Sequence, residues 1–435
     1  VEFTLKLHDL VQPGIISVVL VAFLATVLMA AEKRPAQNYM WRFDGGGRFK
    51  KIEPPERWKN GINILWKTPV EIGGYSSPIV VHDRIFATAE MGSLICLDLA
   101  TGKILWQKDL FNKGSPDIPA ELSSLLMRGC GGDSKQSTPT PTSNGELVFY
   151  INAMGLCVCY DLHGNRKWIR IIETAKQEEF FSASPIFVGD RIILHWGCLM
   201  ALDAKDGRTL WKAADAYPTY GTPALTKIGE VEVAVTPAGD IVRLKDGEIL
   251  CAGLFESTYT TPQIENNVLY VIDRQSMAFE LPAQAEKGMR PKQLWRKRIG
   301  SGVFMASPVY RNGLFYTIES KRCRLFTIDA KTGEVLTVSH SIDKETQLEQ
   351  VETGVKLNGL ASAKFAYASP VATQRHVYLF DDAGSTAIVK LGRNFELSHV
   401  NHIDDAIVGT PYFIDDKIVI RGSKTIYCIG NKNAD

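Results

Sequence analysis

Residue types that often carry chemistry are plentiful in this chain but scattered along it. Eight histidines stand at 8, 82, 163, 195, 340, 376, 399 and 402, mostly in apparent turns. Eight cysteines stand at 96, 130, 157, 159, 198, 251, 323 and 428, with no CxxC, no CxxCH and no cysteine–histidine cluster at metal-ligand spacing. Cys157 and Cys159 share one face of an apparent strand but lie too far apart to bridge easily. A buried free cysteine acts as a small apolar residue, and packing is the role these positions support. The chain contains no HExxH, no P-loop and no GxSxG. Gly45-Gly46-Gly47 falls in a polar stretch rather than between a strand and a helix, so it reads as a flexible loop and not as a phosphate cradle. His195 ends an apparent strand beside Trp196 in RIILHWG, where a satisfied core histidine and a binding group both fit. Glu90, Asp240 and Asp381 are of the type that ligates calcium, but their spacing does not bring them together.

Such side chains make a site only where a fold assembles them, and here the fold is written as a repeat. A Ser-Pro or Thr-Pro pair opens a short β-branched run eight times: at 77–78, 138–139, 184–185, 222–223, 261–262, 307–308, 369–370 and 410–411. The spacing of 38 to 62 residues holds four short strands, one propeller blade. Each unit repeats apolar runs broken by Gly and Asp, as in SSPIVV, RIFATAE, SLICLDL and ILWQKDL of the first. Proline is tolerated where it recurs because the first residue of a strand need not donate to the ladder. The last unit has three strands, YFID, KIVIRG and TIYCIG. Asn63–Lys67 (NILWK) copies the fourth-strand ending ILWQK of residues 104–108 and supplies the missing one. An N-terminal strand in the C-terminal blade removes two open edges at once. The expectation is an all-β, eight-bladed propeller over residues 63–430 with four-stranded antiparallel blades.

The repeat also sorts side chains by place. If each Pro opens an innermost strand, the positions two residues before each Ser or Thr stand at one mouth of the central channel. They hold Tyr75, Gln136, Ser182, Tyr220, Tyr259, Met305, Tyr367 and Val408. Tyrosine has a flat apolar body and a polar tip, suited to ligand stacking or peptide contact, although the rings could equally plug the channel. Two insertions, at 111–136 and 339–365, are expected at the same mouth, the first carrying Arg128 in RGCGGD. They would flank an arc of blades seven, eight and one.

Leu97-Asp98-Leu99-Ala100-Thr101-Gly102-Lys103 through Trp106 resembles the tryptophan-docking repeat of the quinoprotein-like propellers. That family includes quinoprotein alcohol dehydrogenases and the BamB-type assembly propeller. Residues 201–211, 328–333 and 159–168 are further copies, the second without its Trp. The resemblance implies that each Trp packs on a small residue two before the Asp, here Cys96, Cys159, Ala201 or Thr327. For the enzymes of the family it implies pyrroloquinoline quinone, calcium, a vicinal disulfide over the quinone and an Asp base. No Cys-Cys pair occurs here.

Lys plus Arg number 49 against 48 for Asp plus Glu, so no basic surplus points to nucleic acid. Ile15–Ala31 is free of charge and glycine and ends in small residues before Glu32-Lys33-Arg34, as a cleaved signal or a retained anchor would. No Cys follows the run to take a lipid, a departure from the BamB-type propeller. The expected organisation is an export segment at 1–31, a polar lead-in at 32–62 and the propeller outside the cytoplasm. A membrane contact would run only through an uncleaved N-terminus. The expected function is a scaffold binding a protein or small ligand at the mouth with no cofactor. The candidate residues are Tyr75, Gln136, Tyr220, Tyr259, Tyr367, Arg128, His195 and Trp196. The alternative is a dehydrogenase using pyrroloquinoline quinone and calcium.

Overall fold

A computed structural model describes residues 39–431 except 50, 71–72, 90–91, 111–114, 120–121, 123–138, 153–154, 173–181, 343–348, 358–359 and 361–364. Eight four-stranded antiparallel sheets form the blades. Blade one runs outward through Ile79–Val81, Arg84–Ala89, Ser93–Asp98 and Ile104–Lys108. Burial falls along that path: Ile79–Val81 are wholly buried, whereas Ile104–Lys108 are exposed or half-buried. Blades pack face to face, so their middle strands need apolar side chains on both surfaces. That is why RIFATA and SLICLD read as continuous runs rather than alternating ones.

Closure follows the N-terminal copy of the outer strand. Ile64–Pro69 pairs with Thr425–Ile429 and completes the blade of Tyr412–Ile414, Lys417–Arg421 and Thr425–Ile429. Trp66 then reaches onward to blade one. Its indole N–H donates to Leu99 O (3.0 Å) and its ring lies where a Cβ on Gly102 would come within 2.4 Å. Gly102 also holds φ +71°, so glycine is required twice over at this turn. Trp106, Trp168, Trp211 and Trp295 dock in the same way on Leu162 O, Ala204 O, Leu244 O and Ala330 O of the next blade. Within its own sheet Trp106 stands opposite Cys96 and Trp168 opposite Cys159, small buried thiols in the role expected of them. Seven cysteines are free and buried; Cys130 lies outside the described residues.

Two details of the repeat differ from expectation. The Pro of blade two is Pro141, not Pro139: the motif TPTP offers two registers, and Thr140 takes the place of the other seven hydroxyl residues. Blade six does not end on Glu334–Leu336. Its outer strand is Val355–Lys356, reached through a separate hairpin of Val338–Ile342 with Glu349–Thr353. Residues 39–62, expected as a lead-in, are packed into the propeller. Tyr39 bridges Ser143 of blade two, Phe49 donates to Ala372 O of blade seven, and Trp58 N donates to Asn401 Oδ1 beside it. Glu53 and Glu56 lie 3.5 Å from the two ring nitrogens of His376. Among the described residues no helix is long and apolar enough to cross a membrane; Ile15–Ala31 lies outside them.

Candidate functional site

The eight Ser and Thr residues that precede the opening prolines form one closed ring around the axis. Each amide N–H donates to the side-chain hydroxyl of the next blade: Ser77 to Thr140, then Ser184, Thr222, Thr261, Ser307, Ser369, Thr410 and back to Ser77, over 2.8–3.2 Å. The pair works because Ser and Thr carry both an amide N–H and a hydroxyl, whereas the following Pro has no N–H to satisfy. The recurrence of a hydroxyl at all eight pairs was the available signal for this ring, and only the proline of each pair suggested a role.

Above the ring lies a cavity of about 560 Å³, open at the mouth. All eight ring residues line it, as do Tyr75, Ser182, Tyr220, Tyr259, Met305, Tyr367 and Val408, seven of the eight positions assigned to the mouth. The eighth, Gln136, lies outside the described residues, and the register of blade two makes residue 138 the equivalent position instead. Tyr220 and Tyr259 stack at 5.1 Å with 28° between their planes. Tyr367 tilts against Phe365 at 5.4 Å, its hydroxyl pKa raised by burial and then by Asp382. All four tyrosines are half-buried and line the cavity.

The floor comes from the N-terminal segment. Trp41 lines the cavity. Arg42 beside it is wholly buried, its guanidinium 5.2 Å from the Trp41 ring and donating to Pro308 O (2.9 Å) and Pro370 O (2.8 Å). A Cβ on Gly47 would come within 2.6 Å of that guanidinium, so the glycine turn wraps the arginine rather than swinging as a free loop. The result is a cup with hydroxyl walls, a tyrosine rim and Trp41 at its base, with Arg42 packed behind the lining. The composition of 39–47 gives no sign that it enters the channel, and its tertiary contacts alone reveal the floor.

The other candidates lie elsewhere. His195 is buried at the end of Arg191–Trp196, and its Nε2–H donates to Tyr217 O (2.9 Å). Burial lowers its pKa to about 4. Trp196 is buried with Phe149, Cys157 and Leu194. Neither lines the cup, because a second strand directs these side chains between blades rather than onto the axis. Arg128 lies outside the described residues. The described part of its insertion stands at the outer edge of the ring: Lys108 pairs with Asp117 (3.5 Å), Arg166 donates to Asp117 O, and Ile118 is buried. The hairpin of the second insertion is likewise tied to outer strands, through Thr353 to Ile299 O.

The described residues do not assemble a quinone enzyme's metal site. Among the described residues no three His, Cys, Asp or Glu side chains converge to hold a cation. Asp240 Oδ1 accepts the N–H of Gly253, and Asp381 Oδ1 accepts those of Ala383 and Ser385, so both are engaged by backbone amides. Glu90 lies outside the described residues.

With this geometry, likeness to known proteins takes on meaning. The family model for the outer membrane protein assembly factor BamB matches residues 60–243. BamB of Moranella endobia is 23% identical over 370 residues, 80% of this chain and 82% of its own. The chain is an eight-bladed propeller related to BamB. BamB of Burkholderia pseudomallei is 25% identical over 201 residues, 41% of this chain, and the match spans about half (52%) of that relative's length. The crystal structure of BamB from Moraxella catarrhalis superposes with a TM-score of 0.57 at 13% identity, covering 86% of this chain and 98% of that one. A europium-containing methanol dehydrogenase gives 0.56 at 13% identity, with 91% of each chain covered. At such identities the structural likeness to BamB and to the dehydrogenase concerns the fold alone, and one fold hosts many functions.

Proposed function

We propose that this BamB-related propeller is an exported, non-catalytic scaffold that takes a protein segment or a small ligand into the cup at its mouth. The observation that carries the reading is the cup itself: half-buried tyrosines around an open cavity lined by eight hydroxyl residues and Trp41. Its volume of about 560 Å³ falls within the range of ligand pockets, roughly 300–1,000 Å³. Tyrosine rims of this kind supply contact area at low entropic cost. Export is part of the proposal and rests on the apolar run at 15–31 and on relatives described as outer membrane assembly factors.

The test is a double substitution at the stacked pair. Purified protein carrying Tyr220→Ala and Tyr259→Ala should bind a partner cross-linked to the wild type in the cell envelope about tenfold more weakly or worse. Its melting temperature should stay within a few degrees of the wild type. Unchanged affinity would show that the rim is not the contact surface. A loss of several kcal/mol in stability would show that the rings are core plugs.

A further inference from the structure

Behind the base of the cup, outside its lining, lies a buried charge with no hydrogen-bonded anion. Arg42 is buried, and only its Nη2 is used, donating to Pro308 O and Pro370 O; Nε and Nη1 meet no acceptor among the described residues. A buried guanidinium is expected to be paired, since removing it from water costs several kcal/mol unless an anion or further acceptors compensate. Asp44 is near enough to act on it through space, but no hydrogen bond joins them and the pKa is still lowered to about 9 by burial.

Directly above, the ring hydroxyls repeat the pattern. Each accepts one amide N–H, and none donates its own proton to an acceptor among the described residues. The two carbonyls that anchor Arg42 belong to the residues following Ser307 and Ser369, so the guanidinium sits one residue below the ring. Donors from all eight blades therefore surround one point on the axis, and a cation lies beneath it.

We propose that the cup binds a carboxylate, seated on the axis so that it accepts from the ring hydroxyls above the Arg42 guanidinium, with its organic body against the tyrosine rim. This rests on the cup being the ligand site. A monoanion is favoured over a dianionic phosphate because the second nearby cation, Arg48, is already paired with Asp44 and Glu265, and the lining carries an acid, Asp382, whose Oδ1 accepts the N–H of Phe365. The carboxylate could belong to a small aromatic acid or to the free C-terminus of a polypeptide.

Calorimetry on the full chain with N-acetyltyrosine and N-acetyltyrosinamide tests the inference, since the two differ only in the charged group. The acid should bind at least about tenfold more tightly, the scale of a charge-assisted hydrogen bond. In Arg42→Gln that preference should shrink below about twofold with amide binding retained. If Arg42→Gln does not fold, Ser307→Ala with Ser369→Ala, which leaves the arginine in place, should reduce the preference about fivefold. A hexapeptide ending in free tyrosine that outcompetes the small acid identifies a chain end as the source; exclusion of the hexapeptide identifies a small molecule. Equal binding of acid and amide overturns the carboxylate and leaves the cup as ligand site. No binding of either overturns it too, and the tyrosine pair then decides separately whether the rim is a contact surface. A preference untouched by both variants removes Arg42 and the ring from the recognition.

Discussion

His195 sits inside the protein, and the hydrogen bond from its Nε2–H to Tyr217 O suits the neutral ring. Burial outweighs that bond and holds the pKa at about 4, against about 6.5 for an ordinary histidine. Above about pH 6.5 neither folded nor unfolded chain protonates the group. As the pH falls toward about 4, the unfolded chain takes up a proton that the folded chain refuses, so stability drops by up to about 3 kcal/mol. Urea unfolding of wild type and His195→Gln at pH 7 and pH 4.5 isolates this effect. The wild type should lose about 2–3 kcal/mol more than the variant over that interval. Parallel losses would show that the ring titrates normally and is reached by solvent. At this scale the sequence was informative where a position repeats and silent where it does not. The cysteines could be read as packing because they recur opposite a tryptophan. His195 occurs once, and RIILHWG has the same appearance whether its side chains face a neighbouring blade or the axis.

The N-terminal segment acts as two elements in series, a plug and a clasp. Tyr39, Met40 and Phe49 are buried in the plug, and Ile64–Pro69 supplies the outer strand of blade eight. The clasp was legible because NILWK copies ILWQK. The plug was not, because its role depends on contacts with blades two, six, seven and eight that have no period in the sequence. Three truncations separate the roles. Removing 1–37 should leave a soluble, cooperatively melting protein. Removing 1–50 should keep the ring closed but lower stability by about 5 kcal/mol, from three buried side chains at about 1.5–3 kcal/mol each. Removing 1–68 exposes the Thr425–Ile429 edge and takes Trp66 from Gly102, so aggregation should follow. Equal melting and solubility of the first and last truncations would show that the strand does not close the ring.

At the scale of the whole molecule, eightfold repetition builds a ring of donors, seven of whose members were visible in the sequence as half of a strand-opening pair, Thr140 being hidden by the two registers of TPTP. What the repeat could not convey was the depth of the channel, which depends on how far residues 39–47 enter it. The same ring allows a decisive chemical test against the enzyme reading. Oxidation of an alcohol requires a cofactor carbonyl to accept hydride, a cation to polarise it and a base to take the hydroxyl proton. The tyrosines and Trp41 could stack on a flat ring, so a slot alone does not distinguish the readings. The cation does. Calcium takes six to eight oxygens, whereas the cup presents one carboxylate, already accepting from Phe365, above a buried arginine that repels a second cation. The lid is missing as well, since no two cysteines are adjacent. Purified protein incubated with pyrroloquinoline quinone and calcium, then offered a panel of alcohols and sugars, should therefore reduce an artificial electron-accepting dye no faster than the quinone and calcium without protein. Substrate-dependent turnover that disappears on adding a chelator would overturn the scaffold reading, because it requires a cation site that the described side chains do not assemble.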